Sequence, residues 1–172
     1  GYNYCHKAAG FPVSGFVEVG GERFEFAGDD SHGALDWTAG CLGRNTFWNW
    51  ASAGGRLKDG RRLGLNLVSG VNDRGFTENV YWIDGKPIKV DVIDFAYDSD
   101  AMLTTPWRIQ SNDGRVDLSF QADSERAEDI DLGLLISRFH QPFGRFEGRL
   151  EIDGVMQDVS LYGMVEEHQA RW

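Results

Sequence analysis

Cysteine, proline, basic residues and long apolar runs are all scarce in these 172 residues, and each scarcity excludes something. Cys5 and Cys41 are too few for a disulfide framework, and neither sits in a CxxC pair, so a reducing, cytoplasmic setting is expected. The chain opens on Gly1-Tyr2-Asn3-Tyr4 with no Met and no targeting segment, which leaves export open. No apolar run approaches the ~20 residues that cross a bilayer as a helix. With 17 basic against 27 acidic residues the formal charge is -10, which argues against a nucleic-acid partner and against adsorption to anionic membranes.

Signatures of common chemistries are missing too. No GxSxG elbow is present, neither cysteine lies beside a visible base, and no glycine-rich loop opens a helix to cradle phosphate. His168 with Glu166 or Glu167, alongside His140 or His6, offers scattered metal ligands, but without HxH or HExxH spacing no metal and no cofactor is expected. The acidic residues cluster at Asp29–Asp30, at Asp98 and Asp100, and from Asp123 to Asp131. Lacking the DxDxDG spacing of a calcium loop, all three read as solvated loop faces.

What is abundant is turn chemistry. The 22 glycines include Asp59-Gly60, Asp84-Gly85, Asp113-Gly114, Asp153-Gly154 and Gly20-Gly21, each between runs that alternate apolar and polar residues. Such dipeptides suit two-residue hairpin turns, whose central positions need positive φ. Five hairpins give about ten strands, and no stretch sustains a helical period. The expectation is one all-β domain over residues 1–172, an antiparallel meander closed into a barrel or curved strongly, since ten strands in an open sheet leave edges to manage.

Taking each dipeptide as the whole turn predicts the pairing. Ile109 faces Leu118, Trp107 faces Phe120, Arg108 faces Ser119 and Gln110 faces Asp117; Val17 meets Phe24, Glu18 meets Arg23, and Arg149 meets Asp158. The same rule applied to RNTFWNWASA (residues 44–53) places Trp50 opposite Ser69, Ser52 opposite Leu67 and Gly54 opposite Leu65. Trp48, Trp50, Leu63, Leu65 and Leu67 would then share one face. The other would carry Asn49 opposite Gly70, Ala51 opposite Val68, Ala53 opposite Asn66, and Phe47 near Asn72. Either face could be interior: small residues beside amides suit a ligand cavity, whereas large apolar residues usually fill the core. In LGLLISRFHQPFG, Arg138 and His140 continue an apolar row, so the guanidinium either reaches water or meets a carboxylate, with Asp36, Glu78 and Glu167 as the available partners.

The motifs HKAAGFPVSG (6–15), LDWTAG (35–40), RNTFWNWASA, GLNLVSG (64–70), TENVYWIDG (77–85), SRFHQPFGRFEG (137–148) and EEHQARW (166–172) resemble the bacterial family DUF 2804, over nearly the whole chain. The likeness is to the C-terminal half of longer members, which implies a partner N-terminal β domain. The family is thought similar to the lipocalin-like, or calycin, group that includes carotenoid 1,2-hydratases and survival factor type lipid binders. The resemblance therefore implies a lipocalin-like barrel and a hydrophobic small molecule or lipid as ligand. Positions matching its motifs include His6, Lys7, Asp36, Trp37, Trp48, Asn49, Trp50, Asn66, Glu78, Asn79, Arg138, His140, Glu167 and His168.

Three roles follow as expectations. In a binding module, His6, Asn49, Asn66, Asn79, Arg138, His140, Trp37, Trp48 and Trp50 would line the ligand site. In a cofactor-independent hydratase or cyclase, Asp36 or Glu78 would protonate an isoprenoid-like alkene, and tryptophan faces would stabilise the carbocation. In a packing role, the domain would serve as scaffold for its other half. A carboxyl beside Trp37, Trp48 or Trp50 would favour the enzyme.

Overall fold

The computed structural model describes residues 3–28, 30–71, 73 and 75–172. Asp29 of the first acidic cluster, Asn72 beside Phe47, and the opening Gly1-Tyr2 lie outside them. The described residues form thirteen strands and no helix. Nine of them make one antiparallel sheet that curls into a half-barrel: β5 (Asn45–Arg56), β6 (Arg62–Ser69), β7 (Val80–Ile83), β8 (Lys86–Lys89), β9 (Ile93–Ala96), β10 (Trp107–Ser111), β11 (Val116–Asp131), β12 (Ile136–Ile152) and β13 (Val155–Arg171). Their spatial order, β8-β7-β6-β5-β13-β12-β11-β10-β9, is two meanders joined where the last strand pairs with β5. The preceding strands form a separate ribbon. β1 (Asn3–Pro12) pairs with β4 (His32–Gly40), and between them β2 (Gly15–Val19) and β3 (Glu22–Phe26) make a hairpin.

All five predicted turns connect antiparallel strands, and the registers around Asp113-Gly114, Gly20-Gly21 and Asp153-Gly154 are those expected from alternation. The β5–β6 register differs by one residue. Trp50 pairs with Val68, Ser52 with Asn66 and Ala51 with Leu67. The cause is the turn: Leu57 N–H donates to the Arg61 carbonyl and Gly60 N–H to the Leu57 carbonyl, so the loop is Lys58-Asp59-Gly60, three residues long, with Gly60 at φ 89°. A one-residue slip exchanges every cross-strand neighbour. Leu63, Leu65 and Leu67 consequently share a face with Ala51 and Ala53, not with the tryptophans.

That Ala/Leu face lines the inside of the half-barrel, where Trp107, Tyr81, Phe120, Phe146 and aliphatic residues from every strand of the nine-stranded sheet but β8 are buried. Small alanines on β5 leave room for these rings, and burial of this many large apolar side chains, each worth roughly 1.5–3 kcal/mol, is what holds the curl. The concave side is thus a filled core. The third acidic cluster also departs from expectation: Asp123–Asp131 is the second half of β11, not a loop, exposed but laddered to β12 with a bulge between Ala122 and Ser124.

Candidate functional site

The tryptophans of β5 point to the outer face of the sheet, and the ribbon covers them. Gly64 of β6 touches the β1 backbone so closely that a Cβ there would collide with the Ala9 carbonyl, and one on Gly10 would lie 2.7 Å from the Gly64 Cα. Glycine on both sides lets two backbones approach where any side chain would hold them apart. Ala9 therefore turns towards the sheet, and so, two residues back on the same face of β1, does Lys7.

Lys7 Nζ meets its cross-strand neighbour Asp36 at 2.6 Å and Glu78, just before β7, at 3.6 Å, and lies 5.1 Å from the Trp50 ring centroid. Trp50 Nε1 donates to Asn66 Oδ1 at 2.8 Å, and Asn66 Nδ2 donates to the Glu78 carbonyl at 3.0 Å. The β5–β13 register sets Glu166 opposite Trp50 and His168 opposite Trp48, all on this outer face. Trp48 Nε1 donates to Glu166 Oε1 at 2.8 Å and Gln141 Nε2 to Glu166 Oε2 at 3.0 Å. The His168 ring packs 4.4 Å from Trp48, and its Nε2 is 2.9 Å from Ser137 Oγ.

Between ribbon and sheet these groups line a partly open cavity of about 150 Å³ formed by Lys7, Asp36, Trp48, Trp50, Glu78 and Glu166, with Cys5, Thr38, Val68, Val71 and Leu42. It adjoins an open cleft of about 940 Å³ that shares Cys5, Leu42, Val71 and Glu78 and continues past Tyr4 and Phe76. Burial pushes the Glu166 carboxyl above its ordinary value; the Trp48 and Gln141 hydrogen bonds pull the other way, the Asp36 charge adds to the rise and Lys7 offsets it. Burial likewise lowers His168. A carboxyl whose pKa is raised by burial thus sits against two indoles, beside an ion-paired triad. Such an arrangement can hold a polar group away from water or exchange a proton with it.

A family model described as a domain of unknown function, DUF2804, matches residues 1–172. The chain belongs to the DUF2804 family. No curated protein and no solved structure matches it.

In this DUF2804 chain, Asp36, Glu78, Trp48, Trp50 and Asn66 come together at the cavity. His6 and Trp37 do not: they are cross-strand neighbours on the far face of the ribbon, where Trp37 is 52% exposed and packs edge-on to Tyr4. Asn49 turns inward, donating to the Tyr97 hydroxyl at 2.8 Å, and Tyr97 donates to Glu167 while stacking on Trp107. Burial pushes the Tyr97 phenol up. Asn79 is a buried splint that accepts from Val68 N–H and donates to the Asp91 carbonyl. Arg138 pairs with Asp129 and Asp131, both at 3.7 Å, rather than with Asp36, Glu78 or Glu167, because β11 and β12 set these residues side by side. His140 bonds Glu125 at 2.9 Å. Among the described residues no three His, Cys, Asp or Glu side chains converge as a metal site.

Glu166, which sequence reasoning weighed only as one of several scattered metal ligands, lines the cavity, and Gln141, not singled out at all, hydrogen-bonds it from outside the lining. Alternation makes Glu166 and Glu167 face opposite ways, and only the pairing with β5 tells which one meets the tryptophans.

Proposed function

We propose that this protein binds an amphiphilic small molecule on the outer face of the half-barrel, with its polar end in the cavity beneath the ribbon and its apolar part along the adjoining cleft. One observation carries the reading: charged groups of a ribbon and a sheet, Lys7 and Glu78 half-buried and Glu166 buried, converge with Asp36 around a void walled by two tryptophans. Structural ion pairs alone rarely leave such space, since interiors are close-packed. The site replaces the expected barrel lumen, whose volume is taken up by Trp107, Phe120 and Phe146. A calycin-type relationship is supported only by the curled all-β sheet. Exposed Tyr4, Leu35 and Trp37 on the ribbon support a further β domain as a neighbour.

The test is to denature freshly purified protein, extract it with organic solvent and identify what is released by mass spectrometry, then to titrate apo protein with simple alkyl amphiphiles. One stoichiometric apolar species, or micromolar binding that perturbs the Trp48 and Trp50 indole resonances, supports the site. An empty extract together with no binding by any of the amphiphiles overturns it.

The raised Glu166 carboxyl favours a second reading, proton transfer to an alkene held against the indoles. Glu166 then replaces Asp36 and Glu78 as the acid, since both of those are ion-paired to Lys7. Glu166→Gln should abolish turnover of an isoprenoid-like alkene and spare its binding; unchanged turnover refutes the assignment.

A further inference from the structure

The donors and acceptors around the cavity are unequally used. Most of the N–H donors around it already have protein acceptors: Trp48 and Gln141 donate to Glu166, Trp50 donates to Asn66, and the Lys7 ammonium is neutralised by Asp36 at 2.6 Å with Glu78 at 3.6 Å. What faces a ligand is therefore chiefly carboxyl oxygen and indole π face. A carboxylate has about four lone-pair sites, and the two donors to Glu166 occupy one on each oxygen. Formal charge points the same way, three carboxyls against one ammonium. The Trp50 ring already carries the Lys7 ammonium at 5.1 Å, so the site is electrostatically suited to positive charge.

We infer that the polar end accepted here is a compact cation, an alkylammonium head, and that carboxylate, phosphate and sulfate heads are refused. This rests on the binding reading above and names its ligand class. An anionic head would have to compete with Asp36 for the Lys7 ammonium and would be desolvated beside Asp36, Glu78 and Glu166. An ammonium instead brings three donors to these oxygens, meets Glu166 and one indole face, and leaves its chain in the cleft past Leu42 and Val71.

The experiment follows the indole N–H resonances of ¹⁵N-labelled protein, assigned with Trp48→Phe and Trp50→Phe, during titration with octylammonium, octyl sulfate and octanol below their micelle concentrations. Octylammonium should bind about tenfold or more tighter than octanol, the size expected of a desolvated cation–π contact with a carboxylate beside it, and octyl sulfate should not move these resonances. Glu166→Gln should remove most of that preference while still binding octanol. Octanol or octyl sulfate binding as tightly as octylammonium would overturn the cation assignment and leave the amphiphile site standing. Silence from all three would remove the site itself, and a preference undiminished in Glu166→Gln would overturn the role given to that carboxyl.

Discussion

Glu166 is 7% exposed and hydrogen-bonded at both oxygens, yet its carboxyl is pushed up because burial outweighs those bonds. Its folded pKa therefore lies above the ordinary 4.5, and between those two values the native state binds more protons than the unfolded one. This contribution to stability is whole below pH 4.5 and is lost as pH rises through the folded value. Urea denaturation from pH 4 to 8 should show wild type losing stability relative to Glu166→Gln as pH rises; parallel curves for the two proteins would refute the shift. Lys7 presents the opposite case, a cation between Asp36 and Glu78 with its side chain only 12% exposed. Removing one member of a buried pair costs about 3–5 kcal/mol, and the partial exposure of Asp36 should bring Lys7→Met nearer about 2 kcal/mol. A change below roughly 0.5 kcal/mol, within the range of ordinary surface substitutions, would mean that water already screens the cluster.

At the scale of elements, the cavity exists because β1 lies flat on β6. Gly64→Ala forces a Cβ into the Ala9 carbonyl, and backbone on both sides leaves little to give. Overpacking of this kind costs about 1–3 kcal/mol, and here it should also lift the ribbon and shift the Trp50 indole resonance. Wild-type stability with an unmoved Trp50 signal would show that the ribbon is not seated as described. The hairpins explain how much of this arrangement is legible in the chain. Asp-Gly and Gly-Gly pairs mark the five turns, but a dipeptide does not tell a two-residue loop from a three-residue one. At Asp59-Gly60 that ambiguity exchanged the neighbours of both tryptophans, and the expected Trp/Leu face became a Trp/Asn/Val face.

At the scale of the whole molecule, stability concentrates inside the half-barrel, while the ribbon's hairpin projects with Phe16, Val19 and Phe24 exposed. Phe146→Ala should cost about 3–5 kcal/mol, as expected for a fully buried ring. Phe16→Ala should stay within about 0.5 kcal/mol, since Phe16 is 51% exposed and its ring is covered chiefly by Arg23. Chemical denaturation of the two variants checks both. Equal losses would mean that the hairpin belongs to the same cooperative core.

Local features of the chain determined the all-β class, the positions of the five turns, most registers and the family, because strand alternation and positive-φ turns are written in neighbouring residues. They also singled out Asp36, Glu78, Trp48, Trp50 and Asn66. Only the tertiary structure decided that Glu166 joins them while Asn49 and Glu167 turn into the core and His6, Trp37, Arg138 and His140 lie elsewhere. The placements of Glu166, Asn49, Glu167, His6 and Trp37 follow from β13 crossing to pair with β5 and from the glycine contact of β1 with β6, and both join segments far apart in the chain, where no local pattern records which face will meet which.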